Sequence, residues 1–253
     1  MSEFNHILSA RTEATKRLLE SSCFACKTKK QAQKDVGELS NTFKMPCKSY
    51  SLPSRYCNTG SKLQTVDGSI CQFCYGLSGR YAMPTTDNAM QRRYDIRQSM
   101  PATEWIANFV KALTNESFFR WFDNGDLQSE SMLLDILTVA HFLPDTQFWL
   151  PTKEYRIAKE HKLLASTFDN LALRVSMPMI NQIVKISDTK RFGLTSTAFT
   201  DKPGNAFVCP AYSSVEATCD STGCRACWNK SVDVIGYPVH TQKKAKLLKV
   251  VGL

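Results

Sequence analysis

Eight of the ten cysteines fall into two sets of four, and their spacing limits what the chain can fold into. The first set reads C-x9-C-x13-C-x2-C and the second reads C-x9-C-x4-C-x2-C. Two thiols separated by two residues can face one metal ion or cluster, because a tight turn brings their sulfurs to within about 4 Å. The sequence therefore predicts two cysteine-ligated metal sites, one formed by Cys47, Cys57, Cys71 and Cys74, the other by Cys209, Cys219, Cys224 and Cys227.

The composition favours a soluble, cytoplasmic globular protein. Hydrophobic residues make up 43% of the 253 residues and charged residues 22%, which is ordinary for such a protein. No apolar run approaches the roughly 18 residues that span a membrane, and the N-terminus lacks a signal-peptide core. In a reducing compartment this many cysteines indicate metal ligation before disulfides. We expect no membrane association, and the sequence does not indicate an oligomeric state.

Strand-like and helix-like segments alternate along the chain. Continuous apolar strands, followed by polar loops and then helices, are typical of a parallel sheet buried on both faces. The pattern predicts an α/β fold, most simply a partial parallel (β/α) barrel. Its predicted strands lie at 45–53, 117–122, 146–150, 170–176, 191–197 and 232–237, and its predicted helices at 102–113, 129–142 and 156–165.

Four regions follow from this pattern. They are an N-terminal helical extension (1–40), the partial barrel with its cysteine loop (41–206), a cysteine-rich metal knuckle (207–230), and a last strand with a basic C-terminal helix (231–253). Cys23 and Cys26 lie in the extension, and we interpret them as an incidental pair because two further ligands are lacking nearby.

Polar residues follow the predicted strands. Sites in parallel α/β folds collect at the carboxyl ends of the strands, so we expect these side chains on one rim. An alternative for Asp126 is a helix N-cap, and Lys153 or Arg174 could bind an anion or form an ordinary ion pair. The residues concerned are Asp123, Asp126, Lys153, Glu154, Ser176 and Asn181.

The first cysteine set allows two interpretations. Four thiolates closing on one Zn²⁺ would make a structural site, in which Cys47 is a required ligand. Three thiolates, Cys57, Cys71 and Cys74, could instead hold a [4Fe–4S] cluster and leave one iron open, so that Cys47 is surplus. The second set could likewise hold structural Zn²⁺ or an auxiliary [4Fe–4S] cluster.

Six motifs, taken in order, resemble the phage gene-product-eighty-eight family over about residues 43–240. That family is itself similar to radical S-adenosylmethionine iron–sulfur proteins. The resemblance implies a partial (β/α) barrel of radical-SAM type with a cluster loop after the first strand and an inserted C-terminal cysteine-rich knuckle. The motifs are MPCKSYSLP (45–53), CQFCY (71–75), FRWFDNGDLQ (119–128), FWLPTK (148–153), RVSMP (174–178) and CRACW (224–228).

The resemblance also implies site residues. Phe73 stands where the wider superfamily packs an aromatic ring near adenine, and Asn124, Gly125 and Asp126 occupy the place of its motif for the methionine amino group. Lys153 and Ser176, at the ends of the next strands, complete the expected cofactor-binding set. The superfamily's usual C-x3-C-x2-C spacing is here C-x13-C-x2-C, a departure in the loop length.

Two hypotheses of function follow. The first is an enzyme of radical S-adenosylmethionine type, phage-encoded and active in the host cytoplasm, which needs an electron donor and modifies an unknown substrate such as a nucleotide or nucleic acid. The second is a non-catalytic protein with two four-cysteine zinc sites that binds nucleic acid or a host protein. The net charge of +9 permits contact with nucleic acid in either case. Cys47 discriminates between them, because only the second hypothesis requires it in the first site.

Overall fold

An eight-stranded sheet forms the centre of the computed structural model, which describes residues 2–201 and 203–239. Its strand order is β1-β2-β3-β4-β5-β6-β8-β7, and every neighbouring pair is parallel except the antiparallel pair β1 and β2. The sheet does not close on itself. The strands are β1 (Ser40–Asn41), β2 (Lys48–Tyr50), β3 (Phe118–Trp121), β4 (Gln147–Thr152), β5 (Leu171–Ile180), β6 (Leu194–Phe199), β7 (Phe207–Val208) and β8 (Val234–Pro238).

Helices connect the parallel strands. Their starts follow local chemistry: Pro84 stands at the first turn of α5, and the Ser129 hydroxyl accepts a hydrogen bond from Met132 N to cap α7. The helices are α1 (Ser2–Glu20), α2 (Ser22–Ala25), α3 (Lys29–Asp35), α4 (Asn58–Leu63), α5 (Pro84–Ser99), α6 (Ala102–Ala112), α7 (Glu130–Phe142), α8 (Tyr155–Ser166) and α9 (Ile186–Phe192). None of the helices within the described ranges is long and apolar enough to cross a membrane.

The two faces of the sheet are covered by different parts of the chain. Along β3, Phe119 and Trp121 join the main hydrophobic core beneath the helices, whereas Arg120 between them lies on the opposite face. Alternation of side chains along a strand produces this split. Each fully buried aromatic side chain in the core contributes about 2–3 kcal/mol of stabilisation, so the helix face provides most of the apolar burial.

Residues 209–229 cover the opposite face with little regular structure. Arg174 on β5 is fully buried and donates hydrogen bonds to the carbonyl oxygens of Ala226, Asn229 and Val232. Trp228 Nε1 donates to Phe119 O at 2.9 Å. These bonds fix the cysteine-rich segment onto the sheet, so Arg174 is a structural residue and not an anion-binding one.

The structure confirms a mixed α/β fold with a mostly parallel sheet. Two segments differ from the sequence prediction. Residues 58–63 form helix α4 instead of a loop, because the Glu154 carboxylate accepts hydrogen bonds from Thr59 N and Thr59 Oγ1 at the first turn. Helix α9 was not predicted. The predicted basic helix at the C-terminus lies outside the described residues.

Candidate metal centres

Three cysteines gather on the segment between β2 and α5, and we name Cys57, Cys71 and Cys74 the loop trio. A methyl group placed on Gly60 would lie 3.7 Å from both Cys57 Sγ and Cys71 Sγ, so the two sulfurs flank the same point of α4. Cys74 Sγ lies 3.8 Å from Ser54 Oγ. The three thiols interact electrostatically with one another, and burial raises the pKa of Cys57 and of Cys71. The loop after the first parallel strand therefore carries three thiols in mutual reach.

Asn124 anchors this loop to the end of β3. Its Oδ1 accepts a hydrogen bond from Ser54 Oγ at 2.5 Å, and its backbone oxygen accepts one from Leu52 N at 2.9 Å. Gly76 passes so close that an added Cβ would lie 1.8 Å from Asn124 Oδ1. The predicted cofactor residue Asn124 is thus a buried support for the loop.

Asp126 is buried beside the loop trio and accepts three hydrogen bonds. Thr152 Oγ1 and Leu127 N donate to its Oδ1, and Lys153 N donates to its Oδ2. Burial raises the pKa of Asp126 to about 6, although these hydrogen bonds act in the opposite direction. The N-cap of α7 is Ser129. Asp126 is therefore a preorganised carboxylate near the trio and not a helix cap.

Five cysteines gather over the opposite face of the sheet, and we name them the knuckle group. They share a hydrophobic cluster with Trp149, Trp228 and Tyr237, and Cys227 Sγ lies 3.1 Å from the Tyr237 hydroxyl oxygen. Backbone bonds from Cys209 N to Gly236 O and from Cys219 N to Lys44 O tie the group to neighbouring segments. The group consists of Cys47, Cys209, Cys219, Cys224 and Cys227.

Cys47 belongs to the knuckle group in the structure, whereas its spacing in the sequence predicted a site with the loop trio. It interacts electrostatically with Cys219, whereas the electrostatic partners of Cys57 are the other trio thiols, Asp126 and Lys153. The structure does not bring Cys47 together with the loop trio. The expected first set of four is thus a set of three, and the second set gains a fifth thiol.

The sulfurs in both groups are more widely spaced than zinc requires. Within the described residues, which include all ten cysteines, no three sulfurs lie within 4.8 Å of one another. Tetrahedral Zn²⁺ with bonds of about 2.3 Å holds sulfurs about 3.8 Å apart. Thiolates on a cubane each bind a different iron and stand further apart. The donor set suits either a tetrahedral zinc ion or an iron–sulfur cluster.

Three of the knuckle thiols are protonated at neutral pH without a metal. Burial raises the pKa of Cys47 and of Cys227 to about 12, and that of Cys209 to about 11. A bound cation reverses this preference, because a coordinating thiol loses its proton. Metal loading at this site therefore releases protons.

A cavity of about 730 Å³ is lined by residues from both regions, and we name it the central cavity. Phe73 and Tyr75 line it from the cysteine loop, and Cys209, Cys219 and Cys227 line it from the knuckle group. Its volume lies within the usual range of ligand pockets, roughly 300–1,000 Å³. Five of the six residues predicted to bind cofactor line it: Phe73, Gly125, Asp126, Lys153 and Ser176.

Two rim residues and one cysteine pair are placed elsewhere. Glu154 caps the start of α4, as described above, and Asn181 exchanges hydrogen bonds with Thr200. Cys23 and Cys26 are exposed on and beside α2. None of these four lines the central cavity.

Arg120 and Trp149 are cavity residues that sequence reasoning did not select for the site. The Arg120 guanidinium lies over the Trp149 ring, 4.2 Å from its centroid. A charged residue between Phe119 and Trp121, inside an otherwise apolar strand, is the signal that could have identified it.

Comparison with known proteins supports the resemblance seen in the motifs. A family model described as gene product 88 matches residues 18–234, which include strands β1 to β7, the loop trio and the knuckle group. No curated protein and no solved structure matches the chain. The chain belongs to the gene product 88 family.

Proposed function

We propose that this protein is an iron–sulfur enzyme of radical S-adenosylmethionine type, with a [4Fe–4S] cluster held by the loop trio. The observation that carries the proposal is the grouping of the thiols. Cys57, Cys71 and Cys74 lie together after the first parallel strand, while Cys47 packs elsewhere. Three thiolates leave one iron of a cubane open for a small molecule.

The residues around the trio suit the cofactor. Asp126 Oδ2 accepts one hydrogen bond and keeps acceptor capacity for an ammonium group, and the Lys153 side chain could pair with a carboxylate. Phe73 gives the same cavity an apolar surface, and Gly125, at φ +80°, adopts a backbone conformation that L side chains rarely take. When bound, the cluster would supply the electron that cleaves S-adenosylmethionine to an adenosyl radical. The protein binds, orients and shields; an external electron donor must reduce the cluster.

The knuckle group is proposed as a second metal centre. Its five thiols exceed the four that either zinc or a cubane requires. An auxiliary [4Fe–4S] cluster would suit a radical enzyme better than structural zinc. Because Cys209, Cys219 and Cys227 line the central cavity, this centre would face the same space as the cofactor.

Anaerobic purification followed by iron, sulfide and zinc analysis tests the proposal. We expect a brown protein with bound iron and sulfide, a broad visible absorption band, and reductive cleavage of S-adenosylmethionine to 5′-deoxyadenosine. A colourless protein that holds two zinc ions and is unchanged by iron–sulfide reconstitution would overturn the proposal.

Cys47→Ala separates this proposal from a protein with two four-cysteine zinc sites. The variant should keep the iron of the loop trio and cofactor cleavage, because Cys47 packs with the knuckle group. Cys71→Ala is the matched variant and should lose both. Loss of metal from the first site in Cys47→Ala would contradict the assignment.

A further inference from the structure

Arg120 is a cation of the central cavity whose side chain lacks an ordinary oxygen acceptor. Its Nη1 donates to Met45 Sδ at 3.2 Å, a weak acceptor, and its buried Nε has no hydrogen-bond partner among the described residues. No carboxylate oxygen of the described chain lies within 4.0 Å of its guanidinium nitrogens. A buried guanidinium whose hydrogen bonds are incompletely met is costly, so its unmet donor indicates room for a ligand acceptor.

Asp123 supplies, in the same cavity, a carboxylate oxygen that lacks a hydrogen-bond donor. Its Oδ2 accepts a hydrogen bond from the Tyr81 hydroxyl at 2.8 Å, while its buried Oδ1 has no partner among the residues described. The side chain interacts electrostatically with Arg120 without forming an ion pair. The cavity therefore offers an unmet donor and an unmet acceptor of opposite charge.

Two other cations that line the cavity, Lys44 and Lys153, interact with groups outside this pair. Lys44 Nζ donates to four backbone oxygens of the segment 211–217, and Lys153 interacts electrostatically with Asp126 and the loop trio. Arg120 instead interacts electrostatically with Cys47, Cys219 and Cys227. Arg120 thus faces the knuckle group, whereas Asp123 accepts hydrogen bonds from Tyr75 and Tyr81 on the side of the cysteine loop.

We propose that the pair of Arg120 and Asp123 binds a zwitterionic amino acid, with its carboxylate on the guanidinium and its ammonium on Asp123 Oδ1. That the amino acid is a substrate rests on the proposed function. Its binding to Arg120 and Asp123 does not require the cluster. The planar guanidinium fork matches a carboxylate, and the ammonium supplies donors for the orphan oxygen.

The buried charges select this class of ligand. A phosphate would pair with Arg120 and leave Asp123 unpaired and repelled. A guanine base could meet both groups with hydrogen bonds but would neutralise neither charge. A zwitterion neutralises both, which is the condition under which buried ions cost least.

Calorimetric titration of the anaerobically purified protein with each proteinogenic amino acid tests the inference, with inorganic phosphate and guanosine monophosphate as comparison probes. We expect at least one amino acid to bind, and Arg120→Met and Asp123→Asn each to weaken it by at least about tenfold. Arg120→Lys should restore part of the affinity. Absence of binding by every amino acid, or equal binding in Arg120→Met, overturns the proposal, and so does Arg120-dependent binding of phosphate or the nucleotide alone.

Thermal unfolding without ligand gives a second readout. The double variant Arg120→Met with Asp123→Asn removes both buried charges and should not lower the Tm, because no direct ion pair of the fold is lost. Arg174→Met is the matched control and should lower the Tm, since that guanidinium satisfies several carbonyl oxygens. A lower Tm for the double variant would assign the pair a structural role and contradict the inference. Amino-acid binding by a protein that takes up no iron or sulfide on reconstitution would overturn the proposed function while leaving this site in place.

Discussion

The two cysteine groups differ in what surrounds their sulfurs. The loop trio lies on a short helix and loops, beside the buried carboxylate of Asp126 and the cation of Lys153. The knuckle group lies in an apolar cluster with Trp149 and Trp228, and its segment is bonded to the sheet at several backbone positions. One group lies beside charged side chains, and the other is integrated into the packing of the fold.

This difference predicts separate consequences for activity and for stability. Ligands of the trio contribute few contacts to the main core, so their removal should affect chemistry alone. Ligands of the knuckle group are part of a hydrophobic cluster, so their removal should affect the whole fold. Four variants test this distinction.

Replacing the whole trio, Cys57→Ala with Cys71→Ala and Cys74→Ala, should have the largest effect. Cleavage of S-adenosylmethionine should fall by on the order of a hundredfold or more, because the cluster ligands are gone. The Tm should change by no more than about 4 °C, because these residues lie outside the main core. A 5′-deoxyadenosine assay and calorimetry measure the two quantities; a collapse of the fold would show that the groups are not distinct.

Cys219→Ala should mainly reduce stability. The thiol is buried in the knuckle cluster, and we expect a loss of about 3 kcal/mol or more with release of metal from this site. Urea unfolding and metal analysis check both effects. Cys23→Ala is the matched control, since that thiol is exposed and should change neither stability nor metal content. Unaltered stability in Cys219→Ala would contradict the integrated role of the group.

Asp126→Asn should remove a pH dependence from the free energy of unfolding. The carboxyl group concerned lies beside the loop trio. The pKa of this carboxyl rises from 3.8 to about 6 on folding because of burial, so the folded state binds the proton more tightly. The resulting stabilisation is present below pH 4 and is lost as pH rises through 6, and it amounts to about 3 kcal/mol.

Urea unfolding of both proteins between pH 4 and pH 7 measures this contribution. The unfolding free energy of the wild type, taken relative to that of Asp126→Asn, should fall as pH rises. A constant difference over that range would show that Asp126 does not titrate in the folded protein.

Gly76→Ala should disturb the support of the cysteine loop by a smaller amount. An added Cβ would lie 1.8 Å from Asn124 Oδ1 and 2.1 Å from Ser54 Oγ, so we expect a loss of about 2 kcal/mol and weaker iron binding at the trio. Gly79→Ala is the control in the same loop: nothing lies within 4 Å, and only its φ of +59° should cost about 1 kcal/mol. Equal losses measured by urea unfolding would contradict the close-packing argument.

The sequence predicted the sheet well because the signals were local. Apolar strands such as 117–122 and amphipathic helices such as 129–142 carry their own periodicity, and the structure places elements there within a few residues. The location of Cys57, Cys71 and Cys74 on one loop also followed from adjacency in the chain.

The placement of Cys47 was not predictable in the same way. Its partners lie more than 160 residues away in the chain, and sequence spacing assigned it to its nearer neighbours. The roles of Arg120 and Arg174 were hidden for a similar reason, since both depend on the segment that covers the sheet. Asn124 had the correct location but a supporting role that only the packing of Ser54 and Gly76 reveals.

Arg174 also constrains the order in which the protein can mature. Synthesis delivers β5 some fifty residues before the carbonyl oxygens at 226–233 that its guanidinium requires. Until those residues emerge, its guanidinium has the Thr195 carbonyl oxygen but not the acceptors of the covering segment. The loop trio and its supports Asn124 and Glu154 are all synthesised by residue 154, whereas the knuckle group is complete only at residue 227.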